Sequence, residues 1–277
     1  MLELEAPVEG RELHLRISDA DIAICGPTVV LDIVDRMLAH VPRIWSGQQP
    51  PLTINVGFDS SVWTVSGTAP AGHKTLGRLS ALPRVAGAVV SSLLAELAYA
   101  RHFNVWRAAA AERDGRALVM IGDDWESCVT LLAHLHTRGW RILGGDYALV
   151  AGDTFVVTAF KKVLHANSSC IDSFPTWYRR AIEASPWYST PQVIAFYAID
   201  PTLVEGSPPW GEQAPLHAVV RIEGHSAEHP ALEAIEDANI ARGLRQSDLR
   251  SAGVRVAWLM LGEYIETCDL LERWFLS

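Results

Sequence analysis

The first hundred residues alternate between two hydrophobic periods. Leu13, Leu15 and Ile17 are interleaved with His14, Arg16 and Ser18, which predicts a strand with one buried face. Val30, Ile33, Val34, Met37, Leu38 and Val41 follow at helical spacing, with Thr28 as the expected N-cap and Pro42 as the stop. Leu52, Ile54, Val56 and Phe58 return to period two, and Trp63 and Val65 continue it beyond Asp59-Ser60, which predicts a β-hairpin. The Gly/Pro/Thr-rich stretch from Gly67 to Gly77 predicts a loop. Leu82, Val85, Val89, Leu93 and Leu97 then mark an amphipathic helix ending near Arg101.

From about Phe103 the pattern becomes strand, loop, helix, strand. Arg116-Ala117-Leu118-Val119-Met120-Ile121 is a nearly continuous apolar run, as in a strand buried on both faces. Gly122 to Ser127 predicts a polar turn, and Cys128 to Arg138 a helix with Gly139 beyond its C-terminus. Trp140-Arg141-Ile142-Leu143 starts a further strand that ends at Gly144-Gly145-Asp146. That succession predicts a βαβ unit in a parallel sheet. Later, Ala231 to Arg242 predicts another helix.

Composition narrows the function. The chain has 277 residues, 49% of them hydrophobic, and a net charge of −9. Such a chain is not disordered, and it lacks the excess of Lys and Arg that general nucleic-acid binding requires. The acidic start Met1-Leu2-Glu3-Leu4-Glu5 does not resemble a signal peptide, and the apolar stretch Val85–Leu97 is interrupted by Gly87, Ser91, Ser92 and Glu96. The four cysteines are widely spaced with no CxxC. A cytoplasmic protein without membrane or nucleic-acid partners is expected.

A loop between a buried strand and a helix is where phosphate is commonly bound. Glycines there let backbone N–H groups converge on oxygens, a lysine adds charge, and a hydroxyl takes magnesium. Here the segment reads Gly122-Asp123-Asp124-Trp125-Glu126-Ser127-Cys128-Val129-Thr130. Together with Arg113-Asp114-Gly115-Arg116-Ala117-Leu118, Leu131, Arg138-Gly139-Trp140, Asp146 and Asp153, it resembles the P-loop core of HPr-kinase-related proteins over about 50 residues. The resemblance implies an α/β fold: a small N-terminal α/β unit over 1–102 and an HPr kinase-like domain over 103–277.

The departures from that family's GxxGxGK[ST] loop are specific. Trp125 and Ser127 replace glycines, Cys128 the lysine and Val129 the magnesium-binding hydroxyl, so only Gly122 and Thr130 persist. Asp123, Asp124 and Glu126 add negative charge. Like charges about 4 Å apart cost roughly 4 kcal/mol at an effective dielectric near 20. Of the family's paired aspartates only Asp146 remains, beside Gly145. The loop is therefore expected to be a degenerate nucleotide site with no cofactor.

Metal candidates are the acidic turn and the group Glu223, His225, Glu228 and His229, which lacks an HExxH pattern; no metal site is expected. Cys128 is expected to be a buried structural thiol, and His134 and His136 lie on different faces of their helix. The chain has ten tryptophans. Trp177, Tyr178, Trp187, Tyr188 and Trp210 stand near prolines, with Arg179 and Arg180 alongside, and are the candidate peptide-binding residues.

Members of the resembled family recognise protein substrates, and relatives occur with enzymes that modify ribosomally made peptides. The resemblance thus implies a pseudokinase-like, non-catalytic scaffold that presents a precursor peptide to a modifying enzyme. The alternatives are an atypical metal-dependent kinase or transferase using Asp146, and a homo-oligomeric regulatory subunit.

Overall fold

A computed structural model describes residues 9–44, 52–59, 62–77, 82–101, 103–190, 193–225, 229–235, 239–241 and 244–277. The chain divides into two units, Met1–Phe103 and Asn104–Ser277.

In the first unit the alternating run forms β1 (Gly10–Ile17), antiparallel to β2 (Ala20–Pro27). Leu13, Leu15 and Ile17 are all buried. Helix α1 (Thr28–Met37) leads to β3 (Leu52–Asp59), which pairs parallel with β2. Pro27, not Thr28, occupies the N-cap position, and the Thr28 hydroxyl instead donates to the Glu9 carbonyl at 2.7 Å. The helix ends before Pro42, at Met37. Strand β4 (Val62–Ser66) completes the expected hairpin with β3, whose turn residues Ser60 and Ser61 lie outside the described residues.

The expected loop Gly67–Gly77 is more ordered than its composition implies. It contains a 3₁₀ turn, Pro70–Gly72, and the edge strand β5 (Lys74–Gly77), paired antiparallel with β4. Its backbone is secured by side chains of α2 (Leu82–Arg101): the Ala69 N–H donates to Glu96 at 2.6 Å, and the Ser92 hydroxyl donates to the Gly72 carbonyl. At 20 residues α2 is longer than the Val85–Leu97 stretch and long enough to cross a membrane. Its Val85, Val89, Leu93 and Leu97 are buried within this unit.

The second unit opens with β6 (Phe103–Trp106), which starts on the last residue of the first, followed by β7 (Ala109–Arg113) and β8 (Arg116–Gly122). Helix α3 (Trp125–Thr137) follows, then β9 (Arg141–Gly144). Gly139 adopts φ +92°, the left-handed geometry that ends a helix cheaply. β9 does not join β8 directly: β7 lies between them, antiparallel to both. Strand β8 instead finds its parallel neighbour more than ninety residues later.

After β10 (Ala148–Ala151), β11 (Val156–Thr158) and β12 (Leu164–Asn167) come 3₁₀ turns at Ile171–Ser173 and Thr176–Tyr178, then α4 (Arg179–Glu183). β13 (Trp187–Thr190) and β14 (Val193–Ile199) build a three-stranded sheet with β12. The long β15 (Gln213–His225) pairs parallel with β8 and with a late strand, β19 (Arg255–Leu261).

The expected helix Ala231–Arg242 is not formed. β16 (Ala231–Ala234) pairs antiparallel with β19, and β17 (Asn239–Ala241) and β18 (Leu244–Arg245) form a small ribbon. Pairing with the edge of β19 satisfies the β16 backbone better than a helix beginning at Pro230 would. Residues 236–238 and 242–243 lie outside the described residues. The chain closes with α5 (Gln246–Ser251), β19 (Arg255–Leu261) and α6 (Tyr264–Leu276).

The parallel trio β8-β15-β19 carries a core on each side. One cluster includes Leu118 and Met120 with Leu131 and Leu135 of α3 and Leu271 and Phe275 of α6. The other includes Ala117 and Val119 with Leu249 of α5.

Candidate functional site

Sequence predicts a turn from Gly122 to Ser127, but the helix begins at Trp125. Only Asp123 and Asp124 separate strand from helix, a connection too short to wrap a phosphate. The helix starts early because Asp124 caps it. Its carboxylate accepts the Glu126 N–H at 3.1 Å and the Ser127 hydroxyl at 2.5 Å. A first-turn N–H that would otherwise face an anion is therefore met by the protein's own carboxylate.

The other positions compared with the phosphate-loop pattern point inward. Cys128 and Val129, at the lysine and magnesium-hydroxyl positions, are buried in the core with Leu131 and Leu132. An unpaired ammonium there would cost several kcal/mol. Burial pushes the Cys128 thiol up to about 12, with Asp124 adding to the effect, so its thiolate is inaccessible near neutral pH. Thr130 is also buried, and Trp125 packs partly against the core. Gly122 has a packing reason: a Cβ there would lie 3.3 Å from Cys128 Sγ and from the Ile222 carbonyl oxygen.

The three carboxylates do not form an open acidic cluster. Asp124 is the cap, and Glu126 accepts from Asn167 Nδ2 and from the Ser169 hydroxyl, tying α3 to the end of β12. Only Asp123 is fully exposed, 3.9 Å from Arg221.

One oxygen of Asp146 is engaged, and the other is buried without a hydrogen-bond partner among the described residues. Asp146 Oδ2 lies 2.8 Å from the Lys162 ammonium, an ion pair in which the lysine is 3% exposed. A carboxylate held by its own cation is poorly placed to serve as a base or a metal ligand. His165 feels the charges of both groups, and its ring lies tilted against Phe196 with centroids 4.8 Å apart.

Among the described residues no group of three or more His, Cys, Asp or Glu side chains is placed to hold a metal. His229 pairs instead with Glu266 at 3.5 Å; Glu228 and the His225 side chain lie outside the described residues. The four cysteines are free thiols.

The phrases that carry the family resemblance meet at one carboxylate. Glu272 of α6 accepts from Arg113 at 2.5 Å, from Arg138 at 3.2 Å and from the Trp140 indole at 2.9 Å. Arg138 also reaches Asp269 and the Ile265 carbonyl. These residues lash the C-terminal helix to α3 and the sheet, which is a structural task.

The aromatic candidates separate. Trp177 is 67% exposed and lines an open groove of about 850 Å³. The groove is formed by α3, the first turn of α6 and the segment 172–177, and includes His134, Phe174, Tyr264 and Ile265. His134 stacks on Tyr264 with centroids 4.9 Å apart, and its Nε2 donates to the Ser173 carbonyl at 2.9 Å.

Tyr178 does not join the groove, because its ring is fully buried. His136 Nε2 donates to the Pro208 carbonyl at 3.0 Å, which leaves Nδ1 to accept the Tyr178 hydroxyl proton at 2.7 Å. Trp210 packs partly into the same core, away from the groove. Arg179 and Arg180 are exposed on α4 and do not line the groove. Trp187 and Tyr188 stand on β13, and their side chains lie outside the described residues. Sequence reading missed Tyr264 and Ile265, for which the only local signal was an apolar pair opening the last helix.

No family model matches the chain, and no curated protein does. Among solved structures, the HPr(Ser) kinase/phosphatase from Coxiella burnetii matches at 13% identity, covering 62% of this chain and 98% of that one, with a TM-score of 0.32.

Proposed function

We propose that this protein is a nucleotide-independent peptide-binding accessory module, holding a ribosomally made precursor peptide for a separate modifying enzyme. The observation that carries this reading is the open groove with Trp177 and Ile265 exposed along it. Exposed large apolar side chains gathered in one concavity are the usual mark of a recognition site. The non-catalytic part of the reading draws support from α3, whose early start, Asp124 cap and buried Cys128 and Val129 leave no cradle for a phosphate.

Two measurements test it. Millimolar ATP or GTP with magnesium is expected to leave the melting temperature unchanged. A nucleotide present at 100 times its dissociation constant would add about 2.7 kcal/mol, readily seen as a rise of several degrees; such a rise sinks the nucleotide-independent reading. On a random-peptide array, the wild-type protein is expected to retain a subset of peptides that Trp177→Ala loses. Retention of none, or of the same set by the variant, removes the groove from consideration.

A further inference from the structure

The groove has a charge as well as a shape. Asp172 and Glu263 line it as exposed carboxylates, and neither has an ion-pair partner among the described residues. The cationic side chain in the lining, Arg138, is already answered by Asp269, Glu272 and the Ile265 carbonyl. His134 is neutral at pH 7: burial pushes its pKa down, and its Nε2 proton is committed to the Ser173 carbonyl. The start of α6 would by itself favour an anion, but Glu263 and Glu266 already supply negative charge there. The charge left for a ligand to meet is negative.

The apolar surface is equally localised. Trp177 and Ile265, at 67% and 65% exposure, line the groove together with Phe174, Pro175 and Tyr264. Flanking carboxylates around an exposed aromatic surface suit a chain that alternates positive and apolar side chains. Lysine and arginine also cover apolar surface with their methylene stems while their heads reach carboxylates.

Building on the peptide-binding reading, we propose that the groove's occupant is a basic peptide segment: one bulky apolar side chain packs against Trp177 and Ile265, and flanking lysine or arginine side chains pair with Asp172 and Glu263.

The test uses the full chain and three dye-labelled peptides of equal length, read by fluorescence anisotropy. The first alternates lysine and leucine around a central phenylalanine, the second has glutamate for every lysine, and the third has serine for every apolar residue. The lysine–leucine peptide is expected to bind roughly tenfold more tightly than the glutamate peptide at low salt. The gap should shrink at 0.5 M NaCl, as screened surface charges require. The double variant Asp172→Asn/Glu263→Gln is expected to weaken the lysine–leucine peptide about fivefold, in keeping with exposed pairs, without weakening the glutamate peptide. Trp177→Ala should weaken the lysine–leucine peptide more than either charge change alone.

Equal binding of the lysine and glutamate peptides, abolished by Trp177→Ala, overturns the charge assignment while leaving peptide binding intact. Equal binding of the serine and leucine versions, insensitive to Trp177→Ala, reduces the effect to diffuse attraction and overturns the assignment too. Failure of all three to bind overturns both readings. A dimer on sedimentation that Trp177→Ala dissociates would assign the groove to a second copy of the chain and overturn the peptide occupant. The substituted positions are exposed, and matching circular dichroism melts confirm that the variants are folded.

Discussion

Replacing Glu272 with alanine is expected to destabilise the Asn104–Ser277 unit by about 3 kcal/mol, lowering its melting temperature by roughly 6–10 °C. The carboxylate is 19% exposed and serves three donors at once, from Arg113, Arg138 and the Trp140 indole. Alanine would leave two guanidinium groups facing each other without the anion between them, and an indole N–H without an acceptor. Breaking a buried ion pair costs about 3–5 kcal/mol. Partial exposure and the remaining Arg138–Asp269 pair at 2.5 Å place the loss at the lower end. Glu272→Gln keeps an acceptor for the indole and should recover part of the stability. Thermal melts and urea unfolding of both variants measure the effect; an alanine variant within 2 °C of wild type would show that α6 is held by apolar packing alone.

Mild acid is expected to weaken the fold through His165. Burial and the nearby Lys162 charge push its pKa down from the ordinary value of 6.5 to about 3, opposed by Asp146. The unfolded chain therefore binds the proton between pH 6.5 and 3 while the folded chain does not, so stability falls as pH drops through that window. At pH 5 the loss from this residue is about 2 kcal/mol relative to neutral pH. Burial lowers the pKa of His134, His136 and His217 as well, so their contributions carry the same sign. The lowered carboxyl of Asp269, beside Arg138, enters only below its ordinary 3.8 and leaves the pH 5–7 range untouched. Urea unfolding at pH 7 and pH 5 should show His165→Leu losing about 2 kcal/mol less than wild type between the two. Identical losses in the two proteins would refute this role for His165.

Adjacent aromatic residues show how far the candidate site could be read in advance. Trp177 and Tyr178 share the same prolines and the same local composition, yet one is 67% exposed and the other fully buried. What separates them is His136, 42 residues away, which receives the Tyr178 hydroxyl. The early start of α3 was partly visible, since an aspartate ahead of a first-turn glutamate is an N-cap signal. The three acidic positions serve as a cap at Asp124, an inter-element tether at Glu126 and an exposed carboxylate at Asp123.

From sequence alone come β1 and its buried face, the β3–β4 hairpin, the core strand β8, the main span of α3 and the left-handed Gly139 that follows it. All depend on periodicity or capping within about ten residues, where the chain's own geometry decides the outcome. Tertiary structure alone placed β7 between β8 and β9, made β16 a strand, joined Arg113, Arg138 and Trp140 at Glu272, and set Tyr264 and Ile265 beside Trp177. Each of these outcomes needs partners well separated along the chain, and a side chain's burial and charge partners follow from which elements pack together, not from its neighbours in sequence.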